Sequence, residues 1–151
     1  AGTSWALGQL EQSEKQYVLV SSAPLEDPEI GSIFSKLAEN PKVRGIRQII
    51  NYNPSWPRNE KLGNLLENRH WKEAYGQLGN HGLCYDLQLN PHQFCTAAHL
   101  TQSHPETTVI IGHLGSPTLK DLQENGDQYW EGLKGLADHE RTYIKISMLS
   151  L

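Results

Sequence analysis

At 151 residues the chain is one domain's worth, long enough to bury a real core without disulfide staples. Its formal net charge is -4, with acidic and basic residues interspersed and no run of one sign. That argues against nucleic acid, or an anionic membrane surface, as the main partner. No apolar stretch reaches membrane-span length and no signal-peptide pattern opens the chain, so the reading is a cytoplasmic protein. The two cysteines, Cys84 and Cys95, have no CxxC spacing and read as reduced, buried thiols. The chain opens at Ala1 without methionine and stops at Leu151 just after a strand pattern, which points to a piece of a longer protein.

In chain order, Ala1 to Gln16 reads as the tail of a helix, and Tyr17 to Val20 as the first strand. Asp27-Pro28 reads as an N-cap followed by proline in the first turn. Ile30, Ile33, Phe34, Leu37 and Ala38 then form a one-sided helical stripe that Asn40-Pro41 stops. Val43 to Asn51 is the second strand, and its loop from Tyr52 to Arg58 is rich in aromatics and prolines, suited either to line a pocket or to cover the core. Short helices are expected around Leu62–Asn68 and Trp71–Leu78, ended by Gly79-Asn80-His81-Gly82. Leu83 to Leu89 is a strand that carries Asp86 and Gln88. Asn90-Pro91 opens the next helix, with Gln93 placed to complete a capping box and Phe94, Ala97, Ala98 and Thr101 on its inward face. Thr108 to Ile111 is a short β-branched run, the pattern of a strand buried on both faces, and it ends at Gly112-His113. Thr118 to Glu140 is helical with a break near Gly126, and its second half shows a stripe of Tyr129, Trp130, Leu133, Leu136 and Ala137. Thr142 to Ser147 is the last strand.

Five strands alternating with helices specify an α/β protein with a parallel sheet and right-handed crossovers. The sheet is either open and doubly wound or an arc of a closed barrel, whose full circuit needs about 250 residues. Parallel strands would present their C-terminal ends together: Ser21 and Ser22, Arg47 or Gln48 with Asn51, Asp86 with Gln88, His113, and Lys145 with Ser147. A carboxylate, an imidazole and two cations at one rim suit hydrolysis or another proton transfer. Asp86 and His113 are expected to share one pocket, because a polar residue within an apolar strand needs a partner. The plainer alternatives are that His113 caps a turn and that Lys145 only snorkels to the rim. His70, His81, His92, His99, His104 and His139 read as surface or capping residues. The sequence holds no His-x-His, HExxH, GxSxG, Walker loop or GxGxxG.

The blocks KVRGIRQIIN, GLCYDLQLNPHQ, SHPETTVIIGHLGSP, YWEGLKGLA and YIKISML, in this order and spacing from about Tyr17 to Leu149, resemble the amidohydrolase-related family, in particular its lactonase-like branch. The resemblance implies part of a (β/α)8 TIM-type barrel, about five of its eight strands, over residues 1–151. It implies a hydrolase of lactones, or of other cyclic esters or amides of small carboxylic acids, with some relatives decarboxylating acids instead. It also implies a divalent metal, commonly zinc, in many members. On this resemblance His113 takes the place of a metal ligand or catalytic neighbour, Arg47 contacts a substrate carboxylate, and Asp86 and Gln48 stand where relatives carry histidine; Asp86 with His113 is the expected catalytic pair at the rim. Gln48, Gln88 and Lys145 complete the expected substrate contacts. The family's first-strand His-x-His and last-strand aspartate have no counterpart here. The 151-residue chain by itself is therefore expected to lack a complete site and to be inactive, with missing barrel segments or a homo-oligomer covering its open edges. Two readings compete with the hydrolase: a non-catalytic, small-ligand-binding homologue, and a self-contained doubly wound domain.

Overall fold

The computed structural model describes residues 2–148. Its strands are β1 (Leu19–Ser22), β2 (Val43–Ile49), β3 (Cys84–Gln88), β4 (Val109–Ile111) and β5 (Thr142–Ile144). They form a single sheet in the order β1-β2-β3-β4-β5, every neighbouring pair parallel. A doubly wound sheet reverses its strand order at a switch point. Here each crossover steps the same way, which is the winding of a barrel wall, so the doubly wound alternative is set aside.

The helices are α1 (Gly2–Leu10), α2 (Ile30–Ala38), α3 (Pro57–Leu62), α4 (Arg69–Tyr75), α5 (Phe94–Gln102), α6 (Leu119–Glu124) and α7 (Gly126–Ala137). None is long and apolar enough to cross a membrane. Several boundaries differ from expectation for identifiable reasons. The first strand begins two residues later than Tyr17, because β2 starts at Val43 and offers no earlier partner: Leu19 pairs with Val43 and Val18 is left exposed. Asp27 makes a local turn, its Oδ1 accepting from Glu29 N at 2.8 Å, and α2 starts three residues on without a side-chain cap. The two helices expected over 62–68 and 71–78 resolve as α3, a 3-10 turn at Leu65–Glu67, and α4, with Asn64 and Asn68 accepting from the backbone of the turn and of α4.

Strand side chains alternate between two faces. Ile46, Tyr85, Leu87, Val109 and Ile111 point to the helices and are buried. Trp71 and Tyr75 of α4 pack on Tyr85, with ring centroids 5.7 and 5.5 Å away. Phe94 opens α5 against Tyr129 of α7, and Ala97, Ala98 and Thr101 are buried as their spacing requires. The α7 stripe is rotated relative to expectation: Tyr129, Gly132 and Leu136 are buried, whereas Trp130 and Ala137 are exposed, as is Ala38 on α2. Periods of three and four put Tyr129, Gly132, Leu133 and Leu136 on one side, and Trp130 falls off it. The other face of the sheet carries Arg47, Asp86, Ile110 and Tyr143 in one register line. Among the described residues no helix is packed on this concave face, where Ile49 and Tyr143 are exposed.

Gly132 shows how tightly the helix layer fits. A glycine-to-alanine change inside a helix ordinarily stabilises by about 1 kcal/mol. A Cβ on Gly132, however, would stand 2.5 Å from Phe94 Cβ, which the start of α5 holds in place. Overpacking of that kind costs about 1–3 kcal/mol. Gly132→Ala is therefore expected to lower the denaturant midpoint, while Gly8→Ala in α1, where nothing lies within 4 Å of the new methyl, leaves it unchanged or raises it.

Candidate active site at the strand tips

The centre of the uncovered face is a carboxylate. Register places Asp86 of β3 beside Arg47 of β2, and Asp86 is only 1 % exposed. Its Oδ2 accepts from Arg47 Nη2 at 2.8 Å and from Lys145 Nζ at 2.6 Å. Lys145 lies just past β5, held by its backbone N donating to Ile111 O at 2.8 Å, so three strands converge on one oxygen. A buried carboxylate needs such partners, because desolvation of an unpaired charge outweighs most packing gains. Two cations against one anion leave an excess positive charge on this face, and the Arg47 and Lys145 side chains remain 35 % and 38 % exposed.

Beyond β4 the chain takes an unusual turn. His113, Leu114, Gly115 and Ser116 all have φ between 51° and 78°. Left-handed backbone at each non-glycine residue costs about 1–2 kcal/mol, so the surroundings must impose it. Leu114 N donates to Lys145 O at 3.0 Å, Gly115 N to Gly112 O at 2.8 Å, and Tyr129 Oη to Leu114 O at 2.8 Å. Gly115 also lies directly over the Phe94 ring, where a Cβ would collide. The outcome is a fixed imidazole at the rim: His113 Nδ1 hydrogen-bonds Ser147 Oγ at 2.8 Å, leaving Nε2 as the ring's second nitrogen. Non-glycine residues in this conformation concentrate at functional sites.

Asp86 in the middle of β3 and His113 just past the end of β4 thus lie on neighbouring strands, without a hydrogen bond between them among the described residues. Gln88 ends β3 opposite Ile49, half-buried on the concave side. Gln48 corrects the expectation of a substrate contact. It pairs with Leu87, so its side chain belongs to the helix-facing set, where its Oε1 accepts from Leu25 N and Trp71 Nε1 and its Nε2 donates to Glu26. That amide locks the β1 loop onto α4. The cysteines are free, as expected, but Cys95 is exposed and Cys84 half-buried on the concave side. Among the other histidines, His139 is buried rather than superficial, its Nδ1 bonded to Thr142.

The supports of the site leave little mark in the sequence. Gln93 completes the capping box expected of it, its Oε1 accepting from Asn90 N. It also accepts from Tyr52 N and donates to Ile50 O, tying the β2 and β3 loops together. Tyr129 looked like an ordinary stripe residue. A tyrosine rather than leucine at a buried stripe position was the one available signal, since a buried hydroxyl must find an acceptor.

A closed zinc site takes three or four ligands. Among the described residues no three of His, Cys, Asp and Glu are grouped to hold a metal. Both cations lie on Asp86 Oδ2, and His113 has only Nε2 left to offer. These residues therefore do not fit a metal centre on their own, and the assignment of His113 as a metal ligand gains no companion ligands.

Two outcomes test this geometry. Asp86→Ala leaves two cations facing each other with their partner gone; with Arg47 and Lys145 partly solvated, the expected loss is about 2 kcal/mol in equilibrium unfolding, below the cost of breaking a fully buried pair. Cys84 has its thiol pKa raised, first by burial and then by Asp86, so less reactive thiolate is present at a given pH. Iodoacetamide at mildly alkaline pH should label Cys95 well before Cys84, as read by peptide mass spectrometry; equal rates would contradict the placement of Cys84.

The amidohydrolase family profile matches residues 5–150. The uncharacterized protein y4mH of Sinorhizobium fredii is 26 % identical over 99 % of this chain and 50 % of its own length. An amidohydrolase from Burkholderia multivorans, solved with bound zinc, superposes with a TM-score of 0.77 at 17 % identity, over 97 % of this chain and 49 % of that one. A proposed 2-pyrone-4,6-dicarboxylic acid hydrolase from Pseudomonas putida superposes with a TM-score of 0.56 at 17 % identity, over 98 % of this chain and 63 % of that one. The chain thus spans about half the length of the curated relative it matches. Its five parallel β/α units are part of the TIM-type barrel wall of that fold, and the chain belongs to the amidohydrolase family.

Proposed function

We propose that this chain supplies the acid-recognising side of a hydrolase that opens a lactone, or another cyclic ester or amide, of a small carboxylic acid. The observation that carries the reading is the pair of cations sharing Asp86 Oδ2, both partly open to the concave face and together overcompensating one carboxylate. An anionic substrate would complete the charge balance. Arg47 offers a planar fork to its carboxylate, Lys145 a point charge, and Gln88 a neutral amide on the same face. Asp86 holds both cations in place and faces the reacting bond, while His113, oriented by Ser147, moves a proton at the rim or contributes one ligand to a metal. The Pseudomonas putida neighbour, named for a lactone bearing two carboxylates, supports this substrate class.

Turnover would require a complete barrel, with the remaining strands and any zinc ligands coming from further barrel segments or a second copy; binding would not. The lack of a three-ligand cluster among the described residues favours one alternative, a family member that binds the same acids without metal or catalysis. Stoichiometric zinc in the active protein would exclude it.

Titration calorimetry with 2-pyrone-4,6-dicarboxylate as probe tests the proposal. A charged hydrogen bond is worth about 1.5–3 kcal/mol, so Arg47→Met and Lys145→Met should each weaken binding roughly 10- to 100-fold. Neither should affect an uncharged pyrone. Equal affinity for charged and uncharged probes would refute the acid-recognition role.

A further inference from the structure

Lys145 and Arg47 share Asp86 Oδ2, at 2.6 and 2.8 Å, but the two cations differ in what they can do next. A guanidinium keeps its charge, whereas an ammonium that gives up a proton becomes a nucleophile. Lys145 already touches its proton acceptor, the Asp86 carboxylate. The second carboxylate oxygen, Oδ1, is buried and has no hydrogen-bond partner among the described residues, so Asp86 keeps spare acceptor capacity. Arg47 commits Nη2 to Asp86, and its guanidinium has further N–H donors on a side chain that is partly open to the concave face. Planar donors of this kind grip a carboxylate. Because both nitrogens lie on one oxygen, an acid resting on the guanidinium brings the carbon next to its carboxylate within reach of Lys145 Nζ.

We propose that Lys145 is a covalent carbonyl-binding residue, which forms an imine with a 2-oxo acid whose carboxylate rests on Arg47. A 2-oxo acid fits because its carbonyl carbon is bonded directly to its carboxylate. In the first step Lys145 passes one proton to Asp86, Nζ bonds to the carbonyl carbon, and the C=O pair moves onto oxygen. That oxygen takes the proton from Asp86 and becomes a hydroxyl. Nζ then gives Asp86 a second proton, which Asp86 passes to the hydroxyl. The C–O bond breaks, water leaves, and the nitrogen lone pair closes the C=N bond. One proton stays on nitrogen, so the iminium carries the charge the ammonium had and Asp86 is again a carboxylate. No oxidant, reductant or cofactor is consumed. Lys134 is a control within the same molecule. Its Nζ also lies 2.6 Å from a carboxylate, that of Glu131, and its side chain is more exposed than that of Lys145, at 71 against 38 %. Among the described residues no arginine shares that carboxylate.

Imine trapping tests the proposal. The folded protein is incubated with limiting pyruvate and sodium cyanoborohydride, and the reduced adducts are located by peptide mass spectrometry. Lys145 should be labelled roughly 10- to 100-fold ahead of Lys134, the preference that a charged hydrogen bond from Arg47 supplies. Acetone, which has the carbonyl and no carboxylate, should show no such preference, and guanidinium chloride should abolish it with pyruvate. Arg47→Met should bring Lys145 down to the rate of Lys134, and Lys145→Arg should leave only the background on surface lysines. The wild-type comparison decides the matter even where a variant fails to fold. Labelling of Lys145 no faster than Lys134, or a preference that persists with acetone or in denaturant, overturns the proposal. Pyruvate that binds at this face by calorimetry but is never trapped overturns the imine and leaves acid recognition standing. Trapping by a protein that opens no lactone keeps the imine and sinks the hydrolase reading.

Discussion

One buried carboxylate organises this molecule. Asp86 sits mid-sheet at the level where three strands meet, and it can be buried only because Arg47 reaches it from β2 and Lys145 from the segment after β5. Those residues lie 39 positions before it and 59 after it, so local structure alone could not bring them together. The sheet order does: consecutive parallel strands put side chains of like parity side by side, and the ion cluster in turn penalises a slip of register. A one-residue shift of β3 would turn Asp86 into the aromatic packing around Trp71 and Tyr75, where no cation waits.

The strand tip after β4 shows a second dependence, of the site on the helix layer. Four consecutive left-handed residues are held by backbone hydrogen bonds, by the Tyr129 hydroxyl from α7 and by the Phe94 ring beneath Gly115. Phe94 is itself clamped by Gly132 and Tyr129. The position of His113 is therefore set by packing between α5 and α7, which touch no substrate in the proposed reaction. Precision at the rim comes from rigidity behind it.

The two faces of the sheet serve different ends, and their parity explains where the candidate residues fall. Arg47 and Gln48 are adjacent in sequence yet point oppositely, one into the ion cluster and the other into a hydrogen-bonded cap on the indole of Trp71. The helix-facing side is apolar and closed. The concave side mixes charge with exposed Ile49 and Tyr143, as expected of an inner barrel surface seen without its opposite wall.

Periodicity by itself determined the alternation of strands and helices, the inward face of α5 and the break between α6 and α7. These follow from local rules: β-branched runs, capping residues and the spacing of apolar side chains act over a few residues and leave their mark in the chain. Only the tertiary structure decided that Gln48 is a structural amide, that Trp130 faces solvent, and that both cations settle on a single oxygen of Asp86. Such outcomes depend on strand register and on the rotation of whole helices. Those are fixed by the summed packing of residues far apart in the chain, and no local pattern records them.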